Sequence, residues 1–444
     1  MGHNSYFAVL RRRRFRQRRA NAMVDPALGR GTSHETQDSL GELWLITVGH
    51  SLTHWYPATF YLLLPIIGKE LGLDYKQIGF IMTFQYLVST IANFPGGMLV
   101  DRVGHKGFLM SLSLFWVGIP YLLMTFTHSY WSVLVCIALV GIGNNLWHPT
   151  AIPTLSNRYP SKKGFVLSVH GMGGNAGDAL APLAIGALLT GMAMSWREVV
   201  VINILPGVLV AILLLVALRH LQLAVKTPEK QPAAGQSGMS TKEYFTEFGK
   251  LLKNRSLMIL SVSSAFRSMT QNALLTFLPL YLVDVVRLKS EHVGMCMFLL
   301  QTAGFIAAPI AGHLSDRMGS KRLLNSTMFM AFLIIIFMAL AGKSIWFIVF
   351  IALLGFFLYA VRPVMQAWLM DVTPKNMAGS SVGIFWGIQS TGAGLSPLLG
   401  GIVADHFGIH VAFYFIALTI LVANVLVLFA PAAPRNTESK PTPA

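Results

Sequence analysis

A ten-residue phrase occurs twice in this chain. Gly97-Met98-Leu99-Val100-Asp101-Arg102-Val103-Gly104-His105-Lys106 returns as Gly312-His313-Leu314-Ser315-Asp316-Arg317-Met318-Gly319-Ser320-Lys321, 215 residues later. Each copy sits where one long apolar run stops and the next begins. A polar hinge repeated after about half of the 444 residues, in a chain built of apolar runs, constrains the fold to two related halves. In membranes, paired halves place a solute site at their interface.

The apolar runs identify the solvent. Hydrophobic residues make up 54% of the chain and charged residues 12%, about half of the ~25% charged content of a soluble domain. Runs long enough to cross a bilayer, ~20 residues each, lie near 43–68, 78–100, 107–127, 131–157, 164–191 and 197–217, then near 257–283, 293–315, 322–342, 345–371, 379–404 and 410–431. Lipid offers no partner to backbone N–H and C=O groups, so each run is expected as a helix. The expected fold is an all-α polytopic membrane protein, with 12 transmembrane helices forming two six-helix parallel pseudo-repeats around a central cavity. The N-terminal bundle is 43–217 and the C-terminal bundle 257–431. Residues 1–42 are expected as a disordered basic tail, 218–256 as a linker, and 432–444 as a second disordered tail. Within the linker, Met239–Lys253 alternates apolar and charged residues like a surface amphipathic helix.

Lys and Arg orient the spans. With the N-terminus cytoplasmic, the cytoplasmic segments hold 26 of them and the outer loops six: Lys69, Lys76, Arg197, Arg287, Lys289 and Lys343. The chain is therefore expected in the plasma (inner) membrane with both termini cytoplasmic. This bias accounts for the net charge of +16 without a nucleic-acid partner; the arginines between residues 11 and 19 suit anionic lipid. The expected partners are the bilayer and a small-molecule substrate, and the chain is expected to act as a monomer. Cys136 and Cys296 lie inside apolar runs and read as small core hydrophobes. No metal site or cofactor is expected, with the proton gradient as energy source. No nucleophile–base set gathers at one depth, so an enzyme is not expected.

The repeat extends beyond the hinge. Leu64-Pro65 matches Leu278-Pro279, His148-Pro149 matches Arg362-Pro363, and Tyr159-Pro160 matches Thr373-Pro374. Gly177-x-x-x-Ala181-Pro182-x-x-x-Gly186 matches Gly392-x-x-x-Ser396-Pro397-x-x-Gly400-Gly401. The doubled G-x-x-x-D-R-x-G-x-K hinge resembles the signature of the major facilitator superfamily over about 43–431, with His105 where that family has Arg or Lys. Gly141–Pro149 and Gly171–Gly177 leading to Ala181-Pro182-Leu183 resemble the fosmidomycin-resistance branch, although Thr53-His54 stands where that branch has an Asn-Asp pair. The Gly177–Gly186 stretch partly resembles the helix-5 motif of the superfamily's exporters. The resemblance implies secondary transport by alternating access, with the first, fourth, seventh and tenth spans lining the cavity.

Gating is assigned to Gly97, Asp101, Arg102 and Gly104 and to Gly312, Asp316, Arg317 and Gly319. A carboxylate at a helix end can accept N–H bonds at a neighbouring helix start or pair with the arginine, which makes each hinge a latch. Ionisable residues inside the spans cost about 2.5–3.5 kcal/mol each for Arg or Asp, so each should face a cavity or a partner. At 1.5 Å per residue, His54, His148, Arg267 and Arg362 fall near one mid-membrane depth. Substrate binding is assigned to Arg267, Arg362, His54, His148, Asn145 and Gln271, the arginines offering fork geometry to an anion. Trp55, Tyr56 and Trp147 can stack on a solute. Proton coupling is assigned to Asp178, with His170 and His50 as relays. The expected function is proton-coupled efflux of a small anionic solute; uptake or exchange of an organic anion, and a membrane sensor on a transporter scaffold, are the alternatives.

Overall fold

The computed structural model describes residues 35–103, 105–159, 162–219, 241–374 and 377–431; the side chains at 35–39, 93–98, 101, 102, 241, 378 and 379 also lie outside the description. The described residues are almost wholly helical. In the first half the helices are α1 (Glu35–Leu71), α2 (Tyr75–Arg102), α3 (Lys106–Met124), α4 (Tyr130–Asn144), α5 (Trp147–Arg158), α6 (Lys163–Gly191) and α7 (Trp196–Ala217). After the linker helix α8 (Thr241–Lys253) follow α9 (Arg255–Asp284), α10 (Ser290–Met318), α11 (Ser320–Ala341), α12 (Trp346–Val372), α13 (Ala378–Phe407) and α14 (Ile409–Phe429). Counting α4 and α5 as one interrupted span, these are twelve spans in two sets of six. Leu45–Ala444 forms one compact unit that contains both sets.

Two expectations are corrected. Glu35–Glu42, expected in a disordered tail, are the first turns of α1; the remainder of that tail, the linker at 220–240 and the tail from 432 lie outside the described residues. The fourth span is broken at Asn145 and Leu146, where a continuous 131–157 was expected. Pro149 has no N–H to give the Asn145 carbonyl, so the helical ladder fails there. Asn145 instead points its amide at the Ser89 carbonyl of α2. Pro363, the repeat partner, sits inside the continuous α12.

Helix starts follow local chemistry. Asp74 with Gln77, and Ser195 with Glu198, close capping boxes on α2 and α7. Gly319 of the second hinge has φ +87°, a conformation hostile to a Cβ, which lets α10 end and α11 begin at one residue. Lys321 donates to the carbonyls of Leu428 and Ala430 at the end of α14, at 2.9 and 2.7 Å. Its repeat partner Lys106 does the same for Val100 of α2, at 2.6 Å.

Seven spans are long and apolar enough to cross a membrane on composition alone. The other five, α1, α2, α6, α9 and α13, supply cavity walls or the seam between the halves, so their polar and small residues need not meet lipid. Elsewhere large apolar side chains stand exposed, among them Trp131, Leu205, Leu340 and Phe429, as a lipid-facing surface requires.

The halves meet along two seams, α2 against α13 and α6 against α10. Close approach needs glycine at four places. A Cβ on Gly79 would lie 2.1 Å from the Pro397 carbonyl oxygen, and one on its repeat partner Gly294 would lie 2.2 Å from that of Pro182. Gly401 meets the Tyr75 carbonyl oxygen at 2.4 Å, and its partner Gly186 that of Ser290 at 2.6 Å. Both seams also carry a helix cap from the opposite half. The Asp405 carboxylate accepts from the N–H groups of Tyr75 and Lys76 at 2.9 and 2.8 Å. The Thr190 hydroxyl accepts from the N–H of Glu291 at 3.2 Å. The 215-residue interval separates Thr190 from Asp405 and Lys76 from Glu291, so the caps are repeat-related.

Among the described residues, every hydrogen bond between halves lies at mid-depth or toward the end away from the hinges. At the hinge end, Asp316 and Arg317 are exposed and bond to no described residue. Gly104 and the side chains of Gly97, Asp101 and Arg102 lie outside the described residues, so the first latch is not seen. Among the described residues the seams join the halves at one end, and Asp316 and Arg317 of the second hinge make no bond at the other.

Candidate substrate cavity

A cavity of about 310 Å³ lies between the halves. The first half contributes His54 and Tyr61 from α1, Tyr86 from α2, Asn144 from the end of α4, Asn145 from the break after it, His148 from α5 and Asp178 from α6. The second contributes Gln271 and Asn272 from α9, Gln301 from α10 and Arg362 from α12. Five of the six residues assigned to substrate binding therefore line it, and so does Asp178.

Small residues in α6 make the first wall. A Cβ on Gly173 would lie 2.5 Å from the Thr47 carbonyl oxygen, and one on Gly177 would lie 2.0 Å from that of Ser51. This stripe lets α6 lie directly on α1. Asp178 then reaches His54, with Oδ2 2.9 Å from Nδ1. A carboxylate is an acceptor, so Nδ1 carries the hydrogen. One turn earlier, buried His50 donates Nδ1–H to the His170 carbonyl at 2.6 Å, and its Nε2 faces His148 Nε2 at 3.1 Å. The His170 ring stacks on that of His50, with centroids 3.9 Å apart, and neither of its nitrogens has a partner. His50 and His170 thus stand behind the cavity wall.

The second wall is cationic. Arg362 is exposed to the cavity, with its guanidinium 5.8 Å from the centroid of the Trp386 ring. It makes no ion pair with a described residue. Arg267 does not reach the cavity. It is buried one turn behind Gln271, donating Nη2–H to Gln271 Oε1 at 2.6 Å, and its Nε has no partner. Asp178, the carboxylate among the described lining residues, is already engaged by His54.

Aromatic residues chosen for stacking lie elsewhere. Tyr56 and Trp147 are fully buried in the core, Trp147 filling the space that the missing side chain of Gly49 leaves. Trp55 donates its indole N–H to Asn203. Tyr61, Tyr86 and Asn272 were not singled out in the sequence, yet the Tyr86 hydroxyl donates to Asn272 across the two halves. Their signal was available, as polar groups inside apolar runs.

A profile described as Major Facilitator Superfamily matches residues 43–395 and, again, 290–444. A "Probable hexose phosphate transport protein" of Chlamydia trachomatis serovar D is 24% identical over 86% of this chain and 88% of its own. The "Fosmidomycin resistance protein" of Escherichia coli K12 is 23% identical over 89% of this chain and 94% of its own, in line with the branch resemblance. In three dimensions, a bacterial homologue of the human lysosomal transporter Spinster, inward-facing and occupied, superposes with a TM-score of 0.74 at 16% identity, over 87% of this chain and 96% of that one. That likeness is one of fold.

Proposed function

The chain belongs to the Major Facilitator Superfamily of membrane transporters, and from that premise we propose that it exports a small anionic solute in exchange for protons. The observation that carries the anionic reading is a pair of arginines without a carboxylate. Arg362 enters the cavity and Arg267 stands behind Gln271, and neither forms an ion pair with a described residue. Arg362 thus presents an uncompensated positive charge to the cavity, with Arg267 adding to the positive field from behind Gln271, and an anion from outside is the partner this wall favours. Arg362 offers the planar fork that carboxylate and phosphonate groups match.

Efflux is supported by the relative named for drug resistance and by the small-residue stretch around Pro182. The sequence holds no G-x-x-x-x-G-K-S/T loop to cradle a nucleotide phosphate, so we assign the driving force to an ion gradient. We place the chain in the plasma membrane with the hinges and both termini cytoplasmic, on the Lys and Arg bias. The seams then lie at the outer end.

Thermal stabilisation of the purified protein by a panel of anionic metabolites and drugs tests the anchor. Charge-assisted hydrogen bonds contribute about 1.5–3 kcal/mol, so Arg362→Ala is expected to weaken the best ligand by about 10–100-fold. A ligand that stabilises both proteins equally overturns the anion site. Uptake is the second reading, favoured by the hexose phosphate relative. Vesicles with an imposed pH gradient separate the two: an exchanger accumulates solute when the interior is acid, and a symporter does not.

A further inference from the structure

We propose that His50, His54 and His148 bind one divalent transition-metal ion of the Zn²⁺ class, with open coordination positions facing the cavity. One ring nitrogen from each residue lies within 4.8 Å of those of the other two. The His50 and His148 Nε2 atoms are 3.1 Å apart. Two imidazole nitrogens, each about 2.0–2.1 Å from a tetrahedral zinc ion, stand roughly 3.3–3.4 Å from one another. That pair needs a shift of a few tenths of an ångström, and the third nitrogen, within 4.8 Å of the others, closes by up to about 1.4 Å through side-chain rotation to complete the set.

The rings are already oriented for this. His50 gives Nδ1–H to the His170 carbonyl, and His54 gives Nδ1–H to the Asp178 carboxylate. Carbonyls and carboxylates are the usual outer partners of metal-bound histidine, and they fix the tautomer. With Nδ1 protonated in the neutral ring, the Nε2 atoms of His50 and His54 are both lone pairs. A Cβ on Gly174 would lie 2.8 Å from the His50 ring and 3.0 Å from that of His54, so α6 holds both rings in place.

His50 and His54 are four residues apart on one helix, a spacing that puts two ligands on one face. His148 arrives through the break after Asn145. Because the third ligand is on a different helix, no spacing motif announces the site, and the sequence pointed to proton traffic through His50 instead. His54 and His148 line the cavity, so two of the three ligands hold the ion where a solute can complete its coordination. If the anion reading above also holds, the solute class is an anion with a metal-binding donor, shared between the ion and Arg362. Metal binding itself does not depend on that reading.

The test uses the full chain without a polyhistidine tag, in lipid nanodiscs, with Zn²⁺ as the probe. After equilibration and desalting, elemental mass spectrometry should find about one Zn²⁺ per chain, and His50→Gln or His148→Gln should remove it. Asp178→Asn should weaken binding about 10–100-fold, as loss of an outer partner does. Zinc-edge X-ray absorption of the wild type should show imidazole nitrogens at about 2.0–2.1 Å. The proposal is overturned by wild-type protein that retains no more Zn²⁺ than His50→Gln and His148→Gln do, or by a shell without imidazole. Melting of each variant in metal-free buffer controls for folding, and the wild-type spectrum decides alone if the variants do not fold. Loss of the metal result with the Arg362→Ala effect intact removes this inference and leaves the anion site standing.

Discussion

Glu70 shows what one carboxylate at a helix end can do. It accepts from the Trp196 indole at 2.5 Å and lies 2.7 Å from Arg197, whose guanidinium also donates to the carbonyls of Thr125 and Thr127. Three chain segments meet on it. The Trp196 hydrogen bond, with Arg197 adding to it, holds the Glu70 carboxyl below the usual carboxylate range. A lowered folded-state value contributes stability that is present above the unfolded value, about 4.3, and is lost as pH falls through the folded one. Between about pH 6 and about pH 3 the wild type should therefore lose more melting temperature than Glu70→Gln; parallel curves would refute the coupling. Legibility at this scale follows cost. Arg362, His54, His148 and Asp178 could be found because an ionisable group in an apolar run demands a reason. Tyr86 and Asn272 carry a weaker penalty and passed unnoticed, and nothing local could say that Arg267 would stop one turn short of the cavity.

At the scale of elements, α6 is the piece on which the first wall depends. Its Gly171–Gly177 stretch was legible as a family resemblance, but its physical task needed the structure: the missing side chains let α1 approach until Asp178 meets His54. Gly177→Val places new atoms against the Ser51 carbonyl, which is backbone and cannot swing aside. Overpacking of this kind costs about 1–3 kcal/mol, and we expect a lower melting temperature together with loss of ligand stabilisation. A variant melting like the wild type would mean that α6 can slide without consequence. The break in the fourth span was not legible from the sequence. Pro149 lies in the run read as continuous, and its counterpart Pro363 stays within an unbroken helix, so proline alone does not decide. The neighbouring Asn145, tied to α2, provides what α12 lacks.

For the whole molecule, the doubled phrase foretold two halves and placed latches at the hinges. Among the described residues the engaged contacts lie at the opposite end, where Asp405 and Thr190 each cap a helix of the other half. Loss of a helix cap costs about 1 kcal/mol, or roughly fivefold in a population, since 1.4 kcal/mol is tenfold. Asp405→Ala and Thr190→Ala should each raise the fraction open at that end about fivefold, and together by about 25-fold if the two seams part in one event. Spin-label distances across that end would report it; a double variant no more open than either single one would mean that the seams part separately. The pairing also has a kinetic meaning. Once one seam closes, the groups of the other meet at the effective concentration of a tethered system rather than as strangers. Neither contact has to be strong for closure to be firm, so each can stay weak enough to break rapidly, as a carrier that must reopen in every cycle requires.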